Sequence, residues 1–275
     1  MKEWTGREMV QHDVLTAGTL ARFRATLDSA DTGETAAQGI HWCLCLPEAA
    51  TAALDVDGHP HRGTFLPLVP LPRRMWASST VIFHRPIAVG AAIDRHSVIA
   101  GIAEKHGANG RLVFVDVDHE TRADGTLAVS ERQTIVYREA AAAPPAPLGV
   151  GGPDLSQWQW HRTLTPSETL LFRYSALTFN SHRIHYDRPY ATDIERYRGL
   201  VVHGPLMATL LLDLAARALG ANVLASFAFR GQSPAFAGEA LHLVGRNEGE
   251  GIALAALGSD GRTVMSAEAK GRMPA

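Results

Sequence analysis

The sequence predicts an α+β protein made of two similar halves, in which antiparallel sheets wrap a long apolar helix. Three observations lead to this prediction. An alanine-, proline- and glycine-rich stretch interrupts the 275-residue chain near its middle. Strand-like segments with apolar–polar alternation follow one another in the same order on both sides of that stretch. One helical segment in the second half is apolar almost all the way round.

The interruption is "AAAAPPAPLGVGGP", residues 140–153, which carries no charge and shows no periodicity. That composition is typical of a linker. It divides the chain into an N-terminal unit, residues 1–139, and a C-terminal unit, residues 154–275, and each unit is long enough to bury a core.

The strand patterns of the two units repeat each other. "VIFHRPIAVGAAI" and "FAFRGQSPAFAGEAL" both alternate, and both place a proline four residues before a glycine, at positions 86 and 90 and at positions 234 and 238. Further alternating segments follow in each unit, and an Asp-Gly turn signal separates two of them in each. The sequence therefore predicts a duplication of one α+β unit.

A helical pattern stands upstream of each set of strands. In the first unit it covers residues 16–28, where apolar residues recur at helical spacing. In the second unit it covers residues 165–180, where Thr165 and Glu168 have capping-box spacing and Pro166 takes the first helical position. Each half is thus expected to begin with a helix packed near its strands.

The apolar helix is "HGPLMATLLLDLAARALG", residues 203–220, with Pro205 in its first turn and Gly220 just past its end. Only Asp213 and Arg217 interrupt its apolar surface, four residues apart and able to pair. A helix that is apolar nearly all round must be enclosed, and the strands directly downstream can form a curved antiparallel sheet around it. This is the hotdog arrangement, and the duplication makes it a double hotdog.

Composition excludes several classes of protein. The formal net charge is −2, without the basic stripe that nucleic-acid binding requires. No apolar run approaches the roughly 20 residues of a membrane helix, and the first residues lack the apolar region of a signal peptide. Cys43 and Cys45 are expected to be small buried residues without a disulfide. We therefore expect a cytoplasmic protein that binds neither nucleic acid nor membrane.

The stretch "SALTFNSHRIHYDRPYA", residues 175–191, concentrates polar groups in an otherwise apolar setting. Asn180 stands near the end of the helical pattern and His185 just beyond it, so a tight turn can direct both at one point. Gly204 begins the apolar helix, where free N–H groups and a partial positive charge favour a developing oxyanion. A histidine that carries protons, an amide that orients water and an N–H donor are what enolate chemistry on an acyl compound needs.

This stretch resembles the signature of the MaoC-like (R)-specific enoyl-CoA hydratases and dehydratases, A-x-x-x-D-x-N-P-x-H-x-D-x-x-[FY]-A followed by [IV]-x-H-G-[MP]-L. The resemblance implies a hotdog fold, a thioester of CoA or acyl-carrier protein as substrate, and reversible hydration without metal or other cofactor. It also implies that His185 is the catalytic histidine and Gly204 the oxyanion-hole glycine. The matching positions are Ala176, His185, Asp187, Tyr190, Ala191 and "VVHGPL" at 201–206.

The chain departs from the signature at the family's catalytic aspartate, where Asn180 stands, and at its Asn-Pro pair, where His182 and Arg183 stand. An amide cannot take a proton from water. His185 is therefore expected to act as the principal acid and base, with Asn180 holding the water through its amide.

A narrower resemblance covers nearly the whole chain. It is to the double-hotdog itaconyl-CoA and mesaconyl-CoA hydratases and to hydroxyacyl-thioester dehydratase type 2, in which asparagine is the expected residue at position 180. The resemblance implies reversible hydration of a 2,3-enoyl thioester, with a short branched or dicarboxylic acyl-CoA as the expected substrate. The matching segments are "DGHPHRGTFLPLVPLPRRMWA" (57–77), "HRPIAVG" (84–90), "TIVYRE" (134–139) and "FNSHRIHYD" (179–187).

Three alternatives remain open from the sequence: a 3-hydroxyacyl-carrier-protein dehydratase of fatty-acid synthesis, a non-catalytic protein that binds acyl thioesters, and a thioesterase. The first half lacks both signature motifs, so it is expected to be a degenerate hotdog. One active site per chain is then expected, at the seam between the halves. A homodimer is compatible with this arrangement.

Arginine side chains in the proline-rich loop "PLPRRMWA" and in the signature stretch are candidates for contact with substrate phosphate or carboxylate groups. Asp187 is expected to cap the following turn, and His59 and His61 are interpreted as loop residues. His182 and His185 lack an evident third ligand, so no metal is expected. His203 can anchor its turn, contact substrate, or both. The candidates for substrate binding are Arg73, Arg74, Arg183, His203 and Tyr186.

Overall fold

The computed structural model of the chain describes residues 1–107, 110–140, 149 and 151–272. Most of the predicted linker, residues 140–153, lies outside the described residues. The unit boundaries at 139 and 154 stay predictions.

The described residues form ten antiparallel strands in one continuous sheet of order β1-β3-β4-β5-β2-β7-β10-β9-β8-β6. Each half contributes five strands. Read from the edge of the sheet to its middle, the order is β1-β3-β4-β5-β2 in the first half and the equivalent β6-β8-β9-β10-β7 in the second. Strand β2 pairs with β7 and joins the halves. The strands are β1 Glu8–Val14, β2 Arg73–Phe83, β3 Ala92–Gly107, β4 Gly110–Ala123, β5 Thr126–Arg138, β6 Trp160–Leu164, β7 Leu224–Gly231, β8 Leu241–Glu248, β9 Gly251–Gly258 and β10 Thr263–Gly271.

The proline-to-glycine repeat marks the same turn in both halves. Gly90 and Gly238 have φ of 88° and 83°, a left-handed conformation that glycine adopts without a steric penalty. The N–H of Gly90 donates to the Leu15 carbonyl at 2.8 Å, and the N–H of Gly238 donates to the Pro166 carbonyl at 2.9 Å. Both acceptors precede the first helix of their half by two residues, so the predicted duplication is confirmed in its details.

The described residues form three α-helices: α1 Ala17–Leu27, α2 Glu168–Leu177 and α3 Gly204–Leu219. Helix α3 packs against the sheet, and α1 packs against α2. Helix α3 is the predicted enclosed helix, since Leu206 and Leu211 on its surface are fully buried. Its predicted ion pair forms, with Asp213 and Arg217 2.7 Å apart. The sequence thus predicted the central element of the hotdog correctly.

The start of α2 differs from the prediction. Its N-cap is Ser167, whose hydroxyl accepts the Leu170 N–H, so the capping box assigned to Thr165 is wrong. Pro166 consequently precedes the cap instead of occupying the first helical turn. The serine oxygen supplies the acceptor that the helix start needs.

The first half lacks a long enclosed helix among its described residues. Between α1 and β2 the chain forms only 3-10 turns at Ile40–Cys43 and Thr51–Ala53, which agrees with the predicted degeneracy of this half. Cys43 and Cys45 in this segment are free and buried, as expected. None of the described helices is long and apolar enough to cross a membrane.

Candidate active site

The segment that follows α2 is folded back by local hydrogen bonds. Phe179 has φ of 47°, and the Asn180 N–H donates to the Ser175 carbonyl at 2.8 Å. The Asn180 side-chain oxygen then accepts the His182 N–H at 3.0 Å, which makes a turn of the kind that asparagine favours. Asn180 therefore shapes the loop with its oxygen, and only its amide nitrogen can orient a water or a thioester.

His185 ends the 3-10 turn Arg183–His185 and points into the protein, where its side chain is 7% exposed. Its Nδ1–H donates to the Val201 carbonyl at 2.7 Å. This bond fixes the tautomer with Nε2 unprotonated, and Nε2 has no hydrogen-bond partner among the described residues. His185 thus presents a free basic nitrogen.

Burial lowers the pKa of His185 to about 4, although its bond to the Val201 carbonyl acts in the opposite direction. The acid and base role expected for His185 corresponds to an ordinary histidine pKa near neutrality. In the structure the ring is neutral at pH 7 and is ready to accept a proton, but the imidazolium that would form is disfavoured. A negative charge near His185 would favour the imidazolium that its catalytic use creates.

His203 joins His185 to the start of α3. The two rings stack with centroids 3.6 Å apart and an interplanar angle of 19°. The Nε2 of His203 lies 2.8 Å from the Ser175 hydroxyl, and its side chain is fully buried. Because Gly204 directly follows His203 and begins α3, its free N–H lies at the same end of the helix as the His185 ring. The structure thus places the His185 ring at the start of α3, where Gly204 lies. It links Asn180 to the same region through Ser175, whose carbonyl accepts the Asn180 N–H and whose hydroxyl bonds His203. The chemical roles of Asn180, His185 and Gly204 stay predictions.

The first half adds two groups that the sequence argument did not include. The ring of His59 lies 4.1 Å from that of His182, and the ring of His182 lies 5.4 Å from that of His185. Asp57 holds His59 in place, since its carboxylate accepts the His59 backbone N–H and lies 2.9 Å from His59 Nδ1. His59 lies in a loop, as interpreted from the sequence, and its ring also packs against His182. The available signal was "DGHPHRG", which carried part of the family resemblance but received no role.

These groups form a histidine row: His59, His182, His185 and His203. Burial lowers the pKa of each ring below its usual range. Burial acts to raise the pKa of Asp57, but the hydrogen bond from His59 and the nearby imidazoles hold it below its ordinary value. At neutral pH the row therefore consists of uncharged imidazoles with one carboxylate at its end.

Asp57, His59 and His182 also offer one ligand atom each within 4.8 Å of one another. Two imidazoles and a carboxylate form a donor set that divalent cations can use. The sequence argument, which found no further ligand beside His182, missed this group. The Arg74 guanidinium opposes a cation here, because it is near enough to lower the pKa of both His59 and His182.

The predicted substrate-binding residues divide into two groups by their contacts. Arg73 is buried and forms an ion pair with Glu195 at 2.6 Å. Arg183 forms an ion pair with Asp187 at 2.7 Å and donates to the Val56 carbonyl at 3.0 Å. Each of these two arginines is held by protein partners.

Arg74 and Tyr186 remain accessible for binding. Arg74 is half-buried and makes no ion pair within the described part of the chain. Tyr186 is 49% exposed at the end of the 3-10 turn. The prediction for Asp187 agrees with the structure, since its carboxylate accepts the Tyr190 N–H at 3.1 Å and closes the following turn.

The loop that carries Asp57 and His59 is fastened to the catalytic segment. The Arg183 N–H donates to the Asp57 carbonyl at 2.9 Å, and the Ser181 hydroxyl donates to the Gly58 carbonyl at 2.6 Å. The candidate site therefore lies where the two halves meet, as predicted. The two best-formed cavities lie elsewhere, and none of the candidate residues lines them.

Comparisons with known proteins agree with this architecture. Residues 39–237 match the hydroxyacyl-thioester dehydratase type 2 family. The chain is 44% identical over 269 residues to a protein of Chloroflexus aurantiacus named mesaconyl-C(4)-CoA hydratase, covering 96% of this chain and 95% of that protein. It is 26% identical over 272 residues to the mitochondrial hydroxyacyl-thioester dehydratase type 2 of Schizosaccharomyces pombe, covering 86% and 89% of the two chains.

Solved structures support the fold. HtdX of Mycobacterium tuberculosis superposes with a TM-score of 0.71 at 17% identity, covering 97% of this chain and all of that one. A second protein of that organism, described as a double hotdog, superposes with a TM-score of 0.59 at 13% identity, covering 97% and 96% of the two chains. From the family match and the full-length relatives, this chain belongs to the hydroxyacyl-thioester dehydratase type 2 family, and it is a hydro-lyase that adds water to, or removes it from, acyl thioesters.

Proposed function

We propose that this protein hydrates the 2,3-double bond of a short dicarboxylic enoyl-CoA such as mesaconyl-CoA, and catalyses the reverse dehydration. The observation that carries the proposal is the free Nε2 of His185 beside the start of α3. The name of the relative from Chloroflexus aurantiacus supports the choice of acyl group and of CoA over acyl-carrier protein.

The reaction starts with the thioester carbonyl against the Gly204 N–H, where one oxyanion donor is worth about 3–4 kcal/mol of transition-state stabilisation. Water attacks C3 as its proton passes to Nε2 of His185, and the electron pair of the double bond moves onto the thioester as an enolate. The enolate then collapses, and C2 takes the proton from the imidazolium. The Asn180 amide nitrogen orients the water. We propose that these steps need no cofactor or metal, because every proton has a protein carrier.

Arg74 is proposed to bind the free carboxylate of the acyl group. Mesaconate is a dicarboxylic acid, so its thioester with CoA leaves one carboxylate unesterified. An arginine fork suits that group, and Arg74 lies beside the histidine row without an ion pair among the described residues, whereas Arg73 is paired with Glu195. Tyr186, Arg183 and His203 are proposed to shape the surrounding walls.

The test is a hydration assay that follows the enoyl absorbance of mesaconyl-C4-CoA and of crotonyl-CoA, which has no free carboxylate. A charged hydrogen bond is worth about 1.5–3 kcal/mol. Arg74→Ala should therefore raise KM for mesaconyl-C4-CoA at least about 10-fold and leave KM for crotonyl-CoA nearly unchanged. Arg122→Ala, which removes an exposed arginine paired with Glu120, is the control. Equal effects on both substrates would refute the role of Arg74.

The same assay separates the remaining functions. A thiol reagent detects free CoA, so CoA release without hydration would indicate a thioesterase. Binding without turnover of either substrate would indicate a non-catalytic acyl-thioester protein. We further propose a cytoplasmic location, which the two free buried cysteines support, and a homodimer, which light scattering would test.

A further inference from the structure

The family signature places a carboxylate at position 180, where this chain has asparagine. A buried carboxylate nevertheless lies at the end of the histidine row, on the loop of the first half. We propose that Asp57 supplies the carboxylate of this active site and acts through His59 on His182 and His185 as a positioning residue. This inference rests on the proposed function, since it concerns the proton transfer at His185.

The contacts of the Asp57 carboxylate are directed at the histidine row. Its two oxygens face the backbone N–H and the Nδ1 of His59, each at 2.9 Å. Among the described residues it pairs with no arginine or lysine. A buried carboxylate without such a partner carries a desolvation penalty of several kcal/mol. Replacing it with an apolar residue would relieve the penalty, so its presence beside the imidazoles of His59 and His182 indicates a use for its charge.

That use follows from the proton balance of the hydration step. When water attacks C3, one O–H bond breaks and an N–H bond forms at His185, which leaves an imidazolium in a buried site. Asp57, next to the tilted rings of His59 and His182, whose centroids lie 4.1 Å apart, offers the negative charge that stabilises it, and Asp57 stays ionised throughout. The imidazolium N–H breaks as C2–H forms, and the row returns to its neutral state.

The other charged group that faces the row is Arg74, whose guanidinium lowers the pKa of His59 and of His182. Arg74 opposes the imidazolium until a substrate carboxylate neutralises it. His203, stacked on the far face of His185 and bonded to Ser175, is uncharged at neutral pH. Among the described residues around the histidine row, Asp57 is therefore the one negative group that can stabilise a protonated imidazole in that row.

The loop provides a matched control pair. Asp55 and His61 form an exposed Asp–His pair, with the Asp55 carboxylate 2.8 Å from His61 Nδ1. Asp55 comes two residues before Asp57, and His61 comes two residues after His59. Asp57 acts to raise the pKa of His182, the ring next to His185. A charge within about 4–6 Å shifts a pKa by about 1–3 units, and Asp57 lies farther from His185 than that, so Asp57→Asn should lower kcat by a smaller factor of about 3-fold or more. Asp55→Asn should stay near the wild-type kcat. Asp57→Glu, which keeps the charge, should recover part of the loss.

The pH profile separates this role from a structural one. Losing the negative charge destabilises the imidazolium, so the acidic limb of kcat should move to lower pH in Asp57→Asn and stay in place in Asp55→Asn. If Asp57→Asn does not fold, Asp57→Ser, which also removes the charge, is expected to show the same loss. An equal kcat and an unmoved limb in these variants would overturn the proposal.

Three further outcomes are informative. A stoichiometric divalent metal in the purified protein, with activity lost on chelation and restored by that metal, would overturn the positioning role and make Asp57, His59 and His182 metal ligands. Wild-type hydration with Asp57→Asn equal to Asp55→Asn would overturn this inference and leave the proposed function intact. A wild-type protein that hydrates no enoyl-CoA would overturn both.

Discussion

Gly58 fastens the loop of the first half to the catalytic segment, and it cannot be replaced without moving one of them. Its φ is +88°, and a Cβ at this position would lie 1.9 Å from the Ser181 carbonyl oxygen. Gly90 has the same φ of +88°, but a Cβ there meets nothing within 4 Å. The pair Gly58→Ala and Gly90→Ala therefore separates the cost of the contact from the cost of the backbone conformation.

The magnitude follows from the two contributions. A non-glycine residue in the left-handed region costs about 1–2 kcal/mol, which is the loss expected in the free energy of unfolding for Gly90→Ala. Gly58→Ala adds the loss of the hydrogen bonds that Ser181 and Arg183 make to this loop, at about 0.5–1.5 kcal/mol each. These are the bonds to the Gly58, Asp57 and Val56 carbonyls, at 2.6, 2.9 and 3.0 Å. We therefore expect a total of about 3–6 kcal/mol for Gly58→Ala.

Urea unfolding and the hydration assay together test this reasoning. Gly90→Ala should unfold at lower urea with its kcat preserved. Gly58→Ala should lose more stability and also lose kcat, because the displaced loop moves Asp57 and His59 away from the histidine row. If Gly58→Ala matched Gly90→Ala in both stability and kcat, the contact with Ser181 and its catalytic consequence would be refuted.

Two further predictions concern the catalytic segment. The pKa of His185 is about 4 in the folded protein and about 6.5 when unfolded, so the unfolded chain binds more protons between these values and stability falls as pH falls through this window. The loss in the free energy of unfolding is about 3 kcal/mol. Urea unfolding at several pH values should show that this free energy falls less steeply for His185→Asn than for the wild type. Parallel pH dependences of the two proteins would contradict this prediction. Asn180→Asp keeps the oxygen that accepts the His182 N–H and should retain stability, but it removes the amide nitrogen that orients the water and should lose turnover. Asn180→Ala should lose turnover and also about 1 kcal/mol of stability. Wild-type turnover in Asn180→Asp would contradict the role of the amide nitrogen.

The sequence was sufficient for features that depend on local pattern. Helix α3 was predictable because its apolar surface, Pro205 and Gly220 all lie within one segment. Strands β1 and β6 were missed because they lie at the edges of the sheet and have no fully buried position, so they show no apolar alternation. The convergence of the residues at 180, 185 and 204 followed from motifs close together in the chain.

The remainder of the site depends on contacts between distant segments. His59 and His182 are more than a hundred residues apart and meet because Gly58 allows close approach to Ser181, a requirement that no periodicity shows. Arg73 and Glu195 are separated by a similar number of residues along the chain, although they form an ion pair. The sequence therefore could not indicate that this arginine is already paired. The lowered pKa of His185 arises from its enclosure, which only the packed structure provides.

The central claim is that the imidazole of His185 carries the proton during hydration of an enoyl thioester. The most direct measurement is kcat for hydration of mesaconyl-C4-CoA by His185→Ala, with His61→Ala, which removes an exposed histidine outside the row, as control. General acid–base catalysis contributes about 10²- to 10⁴-fold to rate, so His185→Ala should fall by at least about 100-fold while circular dichroism shows an intact fold and His61→Ala remains active. A folded His185→Ala protein that turns over at the rate of His61→Ala would contradict the account.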